Sequence, residues 1–226
     1  MTAVTVRDGT EQSAISGNDV SSLSTADIPG EDVLRANLYG LLARMLTEPP
    51  GEQTRDILCG LDGEDDGTAI GTALASLGTV AARMPISAVE EEFTKLFYGF
   101  GAGGEIHPYA SYYLTGFVYE KPLADLRHDL TEIGIEPTGH NNEPEDHMAF
   151  LCEVMHGLVT GTFGSGWDRA ERARRQQDFF RKHMAPWADA FFADLEAADS
   201  AVLYMPLAAL GRLFFAVEAE AFEMAA

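Results

Sequence analysis

Glu143-Pro144-Glu145-Asp146-His147 sets three carboxylates and an imidazole side by side, and Pro108-Tyr109-Ala110-Ser111-Tyr112-Tyr113 stands upstream of it. A carboxylate beside an imidazole fixes its tautomer and raises its basicity, so Glu143, Asp146 and His147 can form an acid–base set. No nucleophile, oxyanion loop or phosphate cradle accompanies them. The same residues have a plainer use: acids near a helix N-terminus favour its positive end, and a histidine there bonds a backbone carbonyl. The residues alone leave both open.

Cys152 and His156 are four apart, with His147 near, a spacing that could offer one helix face to a transition metal. Against this, Cys152 lies in an apolar stripe where small buried thiols are common, and no fourth ligand stands at a telling spacing. The expectation is no metal and no cofactor of the chain's own. Gly99-Phe100-Gly101-Ala102-Gly103-Gly104 matches G-x-G-x-x-G literally, yet it follows a helix rather than a strand and lacks a βαβ unit. A flexible connection is the reading. Arg169, Arg172, Arg174, Arg175, Arg181 and Lys182 gather six of the fifteen basic residues on one segment that also carries Glu171 and Asp178. That pattern suits a solvated face or pairing within the protein.

The elements that must position these groups read as helices throughout. Val33, Leu34, Leu38, Leu41, Leu42 and Met45 recur at helical spacing until Pro49-Pro50 stops them. Shorter helices follow over 52–60 and 68–83. Ser87-Ala88-Val89-Glu90 has the form of a capping box opening a helix with Phe93, Leu96 and Phe97 on one face. Pro122 starts a helix carrying Leu123, Leu126, Leu130 and Ile133. The next begins around Asn142, with Pro144 and the acids in its first turn and Met148, Leu151, Cys152, Met155, Leu158 and Val159 as its buried stripe. Asp168 caps another, Pro186-Trp187 begins one through Leu195, and a last helix spans 200–224, kinked or started at Pro206. No alternating strand pair and no repeat stands out. The expected fold is all-α, a single-domain bundle of about eight to ten helices over residues 29–226. Residues 1–28, rich in Ser, Thr, Gly and Asp, read as a disordered acidic tail.

The 226 residues carry a formal net charge of −21, which disfavours nucleic acid and anionic membrane surfaces and suits a cationic or neutral partner, or plain solubility. Two separated cysteines, no apolar leader near the start and no long apolar run predict a cytoplasmic protein without membrane insertion.

Four stretches in order now carry a resemblance: Phe93-x-x-Leu96-Phe97; Pro108-Tyr109-x-Ser111-x-Tyr113; Glu143-Pro144-x-Asp146-His147; and Phe179-Phe180-x-x-His183-Met184-x-Pro186-Trp187. Together they closely resemble the TorD/DmsD-like redox enzyme maturation chaperones, relatives of the nitrate reductase delta-subunit assembly proteins, over residues 31–224. The resemblance implies an all-helical, cytoplasmic, non-enzymatic protein. It would bind the precursor of a molybdopterin-containing oxidoreductase of the dimethyl sulfoxide reductase type, through its twin-arginine leader, its apo catalytic subunit or both. It would hold that client until its cofactor is inserted and so prevent premature export.

By that resemblance Tyr109, Ser111, Tyr113, Glu143, Asp146 and His147 are the peptide-binding residues. Asp146 would pair with a leader arginine, His147 would donate to a peptide carbonyl, and Tyr109 and Tyr113 would supply aromatic contact area. Tyr112 stands where relatives usually carry a small aliphatic residue, and Ala110 where Glu or Gly is frequent, so groove shape and client choice differ. The protein would be a monomer or a helix-exchanged dimer. The competing expectation is a small helical enzyme with His147 as base, or as a metal ligand with Cys152 and His156.

Overall fold

A computed structural model describes residues 3–6, 29–63, 66–99, 103–138, 143–164 and 166–224. Ten α-helices run in chain order among them: α1 Gly30–Thr47, α2 Glu52–Cys59, α3 Ala69–Arg83, α4 Ile86–Phe93, α5 Ala110–Thr115, α6 Lys121–Glu132, α7 Met148–Thr160, α8 Arg169–His183, α9 Ala188–Ala197 and α10 Tyr204–Met224. A 3₁₀ turn over Gly60–Gly63 follows α2, and a π turn over Thr94–Tyr98 extends α4. The all-α expectation holds with one addition. Strand β1, Ala3–Val6, pairs antiparallel with β2, Ile135–Thr138, in the register Ala3 to Thr138 and Val6 to Ile135. No alternating pattern announced these short strands. Residues 7–28 of the expected tail, and residues 100–102 of the glycine stretch, lie outside the described residues.

Contacts gather the chain into two compact units, each discontinuous in sequence: Met1–Ala43 with Tyr109–Met184, and Arg44–Pro108 with Ala185–Ala226. In the first unit α7 is the central element. Ten of its thirteen residues are buried, so it is apolar on nearly every face, as a helix enclosed by others must be. Tyr39 and Leu42 of α1, Leu123, Leu126 and Leu130 of α6, and Phe179 and Phe180 of α8 fill the same core. Gly157 permits the tight return after α7, because a Cβ there would sit 2.1 Å from the Phe163 ring. On α8, buried Gln176 donates to the Leu158 carbonyl at 3.2 Å and accepts from Arg35 at 3.2 Å. Asp168 caps α8 as expected, accepting the Glu171 N–H at 2.8 Å.

The second unit is built on aromatic packing. Trp187, Phe191, Phe192 and Phe215 meet in succession as tilted rings, 4.8–5.6 Å between centres, and Gly211 of α10 lets the Phe192 ring approach to 2.4 Å of where a Cβ would be. Buried Glu92 closes the N-terminus of α10: its two carboxylate oxygens accept the N–H groups of Val202, Leu203 and Tyr204 at 2.7, 3.1 and 2.9 Å. Helix starts leave such donors without intrahelical partners, so an acid from elsewhere in the chain completes this one. Pro206 falls in its first turn, where the missing N–H is harmless.

Two expected helix starts move. Helix α4 begins at Ile86 with Pro85 as its cap residue and no side-chain cap bond, so Ser87 lies inside the helix rather than ahead of it. Helix α7 begins at Met148, not around Asn142, which is itself outside the described residues. The cause is a β-bridge between Tyr109 and His147, with the Ala110 N–H donating to the Asp146 carbonyl at 3.0 Å. That pairing holds His147 extended, after a turn closed by its N–H on the Pro144 carbonyl, and delays the helix.

Candidate functional site

The bridge brings the two polar-aromatic stretches together inside the first unit. Asp146 is 1% exposed, and its Oδ2 accepts both the Ser111 N–H, at 2.8 Å, and the Ser111 hydroxyl. Ser111 is itself fully buried, in the short helix α5 that no sequence pattern announced. The other oxygen of Asp146, Oδ1, is buried with no hydrogen-bond partner among the described residues. A buried carboxyl oxygen without a hydrogen-bond partner is a costly arrangement in a folded chain. Asp146 also lines a cavity of about 110 Å³ walled by Leu114, Pro122, Leu126 and Leu151, with Asp125 and Lys182 bordering it. Such a volume admits several waters or one side-chain head.

The surrounding charges are tied to one another. Lys121 holds Asp125 at 2.5 Å, while Lys182 and His183 both hold Asp129, at 2.5 and 2.7 Å. Burial works to raise the Asp129 carboxyl, but its bonds to Lys182 and His183 outweigh burial and keep it below the usual carboxylate range. Desolvation holds the His183 imidazole below its ordinary value. Lys182 therefore has its charge engaged by Asp129 rather than by Asp146.

His147 is the N-cap of α7, its Nδ1 accepting the Ala149 N–H at 3.0 Å, so the ring proton resides on Nε2. Desolvation pushes its pKa down to about 4, which keeps the ring neutral at neutral pH. Tyr109 packs edge-on against it, 5.2 Å between centres, and donates its hydroxyl to exposed Glu143. Glu145 pairs with Arg127 at 2.6 Å. Tyr113 is half-buried on α5, its ring edge-on to Tyr112 at 5.7 Å.

Five of the six expected residues thus converge, with Tyr113 next to them on α5, but not as an acid–base set: His147 bonds backbone, Asp146 bonds Ser111 and Glu143 bonds Tyr109. The Cys152, His156 and His147 grouping does not converge either. Among the described residues the group whose ligand atoms meet is His128, Asp129 and Glu132, largely exposed on α6. Burial pushes the Cys152 thiol far up, and His156 faces Gly40 of α1. In the basic segment Arg174 pairs with Glu171 and Asp178, and Arg175 with Glu171, as expected, whereas the Arg172 Nε is buried without a hydrogen-bond partner among the described residues.

Sequence reasoning missed Leu114, Pro122, Leu126 and Leu151 as cavity walls, because only the fold brings α5, α6 and α7 to one place. It also passed over Phe117-Val118-Tyr119. That apolar run, directly ahead of Glu120-Lys121, was visible in the sequence as a surface anomaly.

The helices and the two short strands give a predominantly α-helical protein, and the comparisons place it in a family. A protein of Archaeoglobus fulgidus described as a redox enzyme maturation protein has a crystal structure that matches with a TM-score of 0.53 at 21% identity, over 80% of this chain and 93% of that one. The family model described as nitrate reductase delta subunit matches residues 64–193, more than half of the chain, and the chain belongs to that family. Chaperone protein TorD of Photobacterium profundum is 29% identical over 189 residues, 75% of this chain and 85% of the relative. TorD of Psychrobacter is 27% identical over 132 residues, 58% and 59% of the two chains. TorD of Vibrio cholerae is 29% identical over 110 residues, and there the chain spans only 50% of the relative's length. No single helix among the described residues is long and apolar enough to cross a membrane.

Proposed function

We propose that this protein is a cytoplasmic, non-enzymatic chaperone for the precursor of a molybdopterin-containing oxidoreductase of the dimethyl sulfoxide reductase type. It holds the twin-arginine leader, and with it the apo catalytic subunit, until the cofactor is in place. The observation that carries the reading is the bare Oδ1 of Asp146 beside a small, mostly apolar-walled cavity. A guanidinium entering that cavity supplies the missing donors, and an arginine stem suits walls of Leu114, Leu126 and Leu151. Ser111 fixes the carboxylate in advance, Tyr109 and Tyr113 offer aromatic area on the segment that carries Ser111, and the Nε2–H of His147 is a donor suited to a peptide carbonyl. Exposed Glu143, which accepts from the Tyr109 hydroxyl, adds a negative charge to this group of residues. A net charge of −21 favours the approach of a basic leader.

Release after loading requires moderate affinity, near micromolar or about 8 kcal/mol, which a few anchors of about 2 kcal/mol each can supply. The chain works as a monomer or a helix-exchanged dimer. Affinity purification from the native cells is expected to recover an unprocessed molybdoenzyme precursor, leader attached and poor in molybdenum. Asp146→Ala and Tyr109→Ala are each expected to weaken leader binding tenfold or more while the protein stays folded. Unchanged binding by both folded variants would overturn the site. Stoichiometric zinc or iron on the purified protein, with turnover lost in His147→Ala, would favour the enzyme instead.

A further inference from the structure

Tyr112, Leu114, Phe117, Val118 and Tyr119 are all exposed, with Phe117 at 70% and Tyr119 at 64%. Five large apolar side chains thus face solvent within eight residues, whereas the other exposed large apolar residues are spread over α1, α2, the π turn and the α10 region. Single exposed apolar residues need no explanation, but a contiguous patch marks an interaction surface.

The segment is held rather than loose. Gly116 ends α5 in the left-handed conformation, with φ of 85°. The Thr115 hydroxyl donates to the Ser111 carbonyl at 2.8 Å and also meets the backbone N–H and carbonyl of Phe117 at 3.3 and 3.2 Å. Ser111 therefore fixes the Asp146 carboxylate through its side chain and the start of the apolar ridge through its carbonyl. The ridge is also continuous with the cavity, since Leu114 before it and Pro122 after it both line that cavity.

Tyr119 has φ of 64°, the one non-glycine residue with positive φ among the described residues. Glycine would occupy that backbone conformation without strain, yet the position carries a large, exposed aromatic ring. Packing inside the free protein does not account for the ring. A partner would.

We infer that the ridge from Leu114 to Tyr119 seats the apolar stretch that follows the arginines of a client leader, so that Asp146 and the ridge read charge and hydrophobicity along one continuous face. The inference rests on the proposed leader-binding function and adds the occupant of a surface that this function did not use. Charge complementarity favours a leader over an arbitrary apolar peptide: Glu120 directly follows the ridge and Asp146 lines the cavity, while Lys121 and Asp125 offset each other as a pair. A pre-formed ridge also binds with little ordering cost.

The test uses the full chain and three synthetic peptides. The first has two adjacent arginines followed by a leucine-alanine stretch of about ten residues, the length of a leader's apolar region. The second replaces that stretch with serine and glycine, and the third replaces the arginines with glutamine. The double variant Phe117→Ser, Tyr119→Gly is expected to bind the first peptide at least tenfold more weakly and the second as the unaltered protein does. Asp146→Asn is expected to weaken both arginine-bearing peptides and to spare the third. Undiminished binding of the first peptide by the folded double variant overturns the ridge assignment while an Asp146→Asn effect still upholds the cavity. A ridge effect without an Asp146→Asn effect overturns the joint reading and the arginine cavity with it. No binding of any peptide by the unaltered protein overturns both.

Discussion

Glu92 and Asp146 are both buried carboxylates that bond backbone N–H groups, yet only one of them is complete. Glu92, in the second unit, has both oxygens occupied by three N–H donors at the start of α10. Asp146, in the first unit, gives one oxygen to Ser111 and keeps the other bare beside a cavity. A saturated buried acid offsets its own desolvation and belongs to the architecture. A half-saturated one leaves the folded protein with an unmet interaction that an incoming cation relieves. The distinction lies in the second oxygen, not in burial.

The largest effect is expected from breaking the complete site. Glu92→Ala leaves three donors at a helix start without their acceptor, two of them on buried residues, and should destabilise the protein by about 3 kcal/mol or more. Urea unfolding measures this, and leader affinity of the protein that remains folded should be unchanged. A large loss of affinity at full foldedness would erase the division between architectural and functional acids.

Glu153 on α7 sharpens the comparison. It too has a buried oxygen without a partner among the described residues, but it lines neither the Asp146 cavity nor the one beside Asp129 and Phe179. Burial pushes its pKa up to about 7. The folded protein thus keeps a proton that the unfolded chain gives up above its ordinary value of 4.5. Stability is therefore present in full below that value and falls as pH rises toward 7. Glu153→Gln should flatten this fall and add on the order of 2 kcal/mol at pH 8, with no change in leader binding. Paired urea titrations across the window test it, since the difference between variant and parent cancels the general effect of net charge.

Asp146→Asn is the intermediate case. Asparagine can still accept from Ser111 while turning an N–H₂ toward the place of Oδ1, so the fold should change by less than about 1 kcal/mol. Affinity for an arginine-bearing leader should fall tenfold or more, or about 1.4 kcal/mol. Calorimetry on the folded variant decides it. A stability loss larger than the affinity loss would place Asp146 beside Glu92 as architecture.

Much of this was legible in the sequence because helical periodicity and caps are local. The stripe from Met148 to Val159, the Asp168 cap and Pro122 at the start of α6 fall where spacing puts them. The convergence of Tyr109, Ser111, Asp146 and His147 was legible only as a resemblance. What escaped depends on pairing across the chain: the Tyr109 to His147 bridge delays α7, and the two strands meet across more than a hundred residues. Glu92 stood unremarked just ahead of Phe93-x-x-Leu96-Phe97, since nothing local says that an acid there will cap a helix more than a hundred residues later. The bare oxygen of Asp146 could not be read at all, because satisfaction of a lone pair is a property of the assembled neighbourhood.

The smallest expected effect bears on the ridge. Tyr119→Gly places the natural occupant in a left-handed position and relieves about 1 kcal/mol of backbone strain. Glycine's larger freedom in the unfolded chain offsets roughly 0.5–1 kcal/mol of that gain. Because the Tyr119 ring is 64% exposed, little packing is lost. Net stability should stay within about 0.5 kcal/mol of the parent, measured by urea unfolding, while leader affinity falls. The same logic that separates Asp146 from Glu92 then applies to an apolar side chain: its removal is felt in binding and not in folding. A destabilisation above about 1 kcal/mol would mean that the ring already has a partner within the protein, and the ridge would join the architecture.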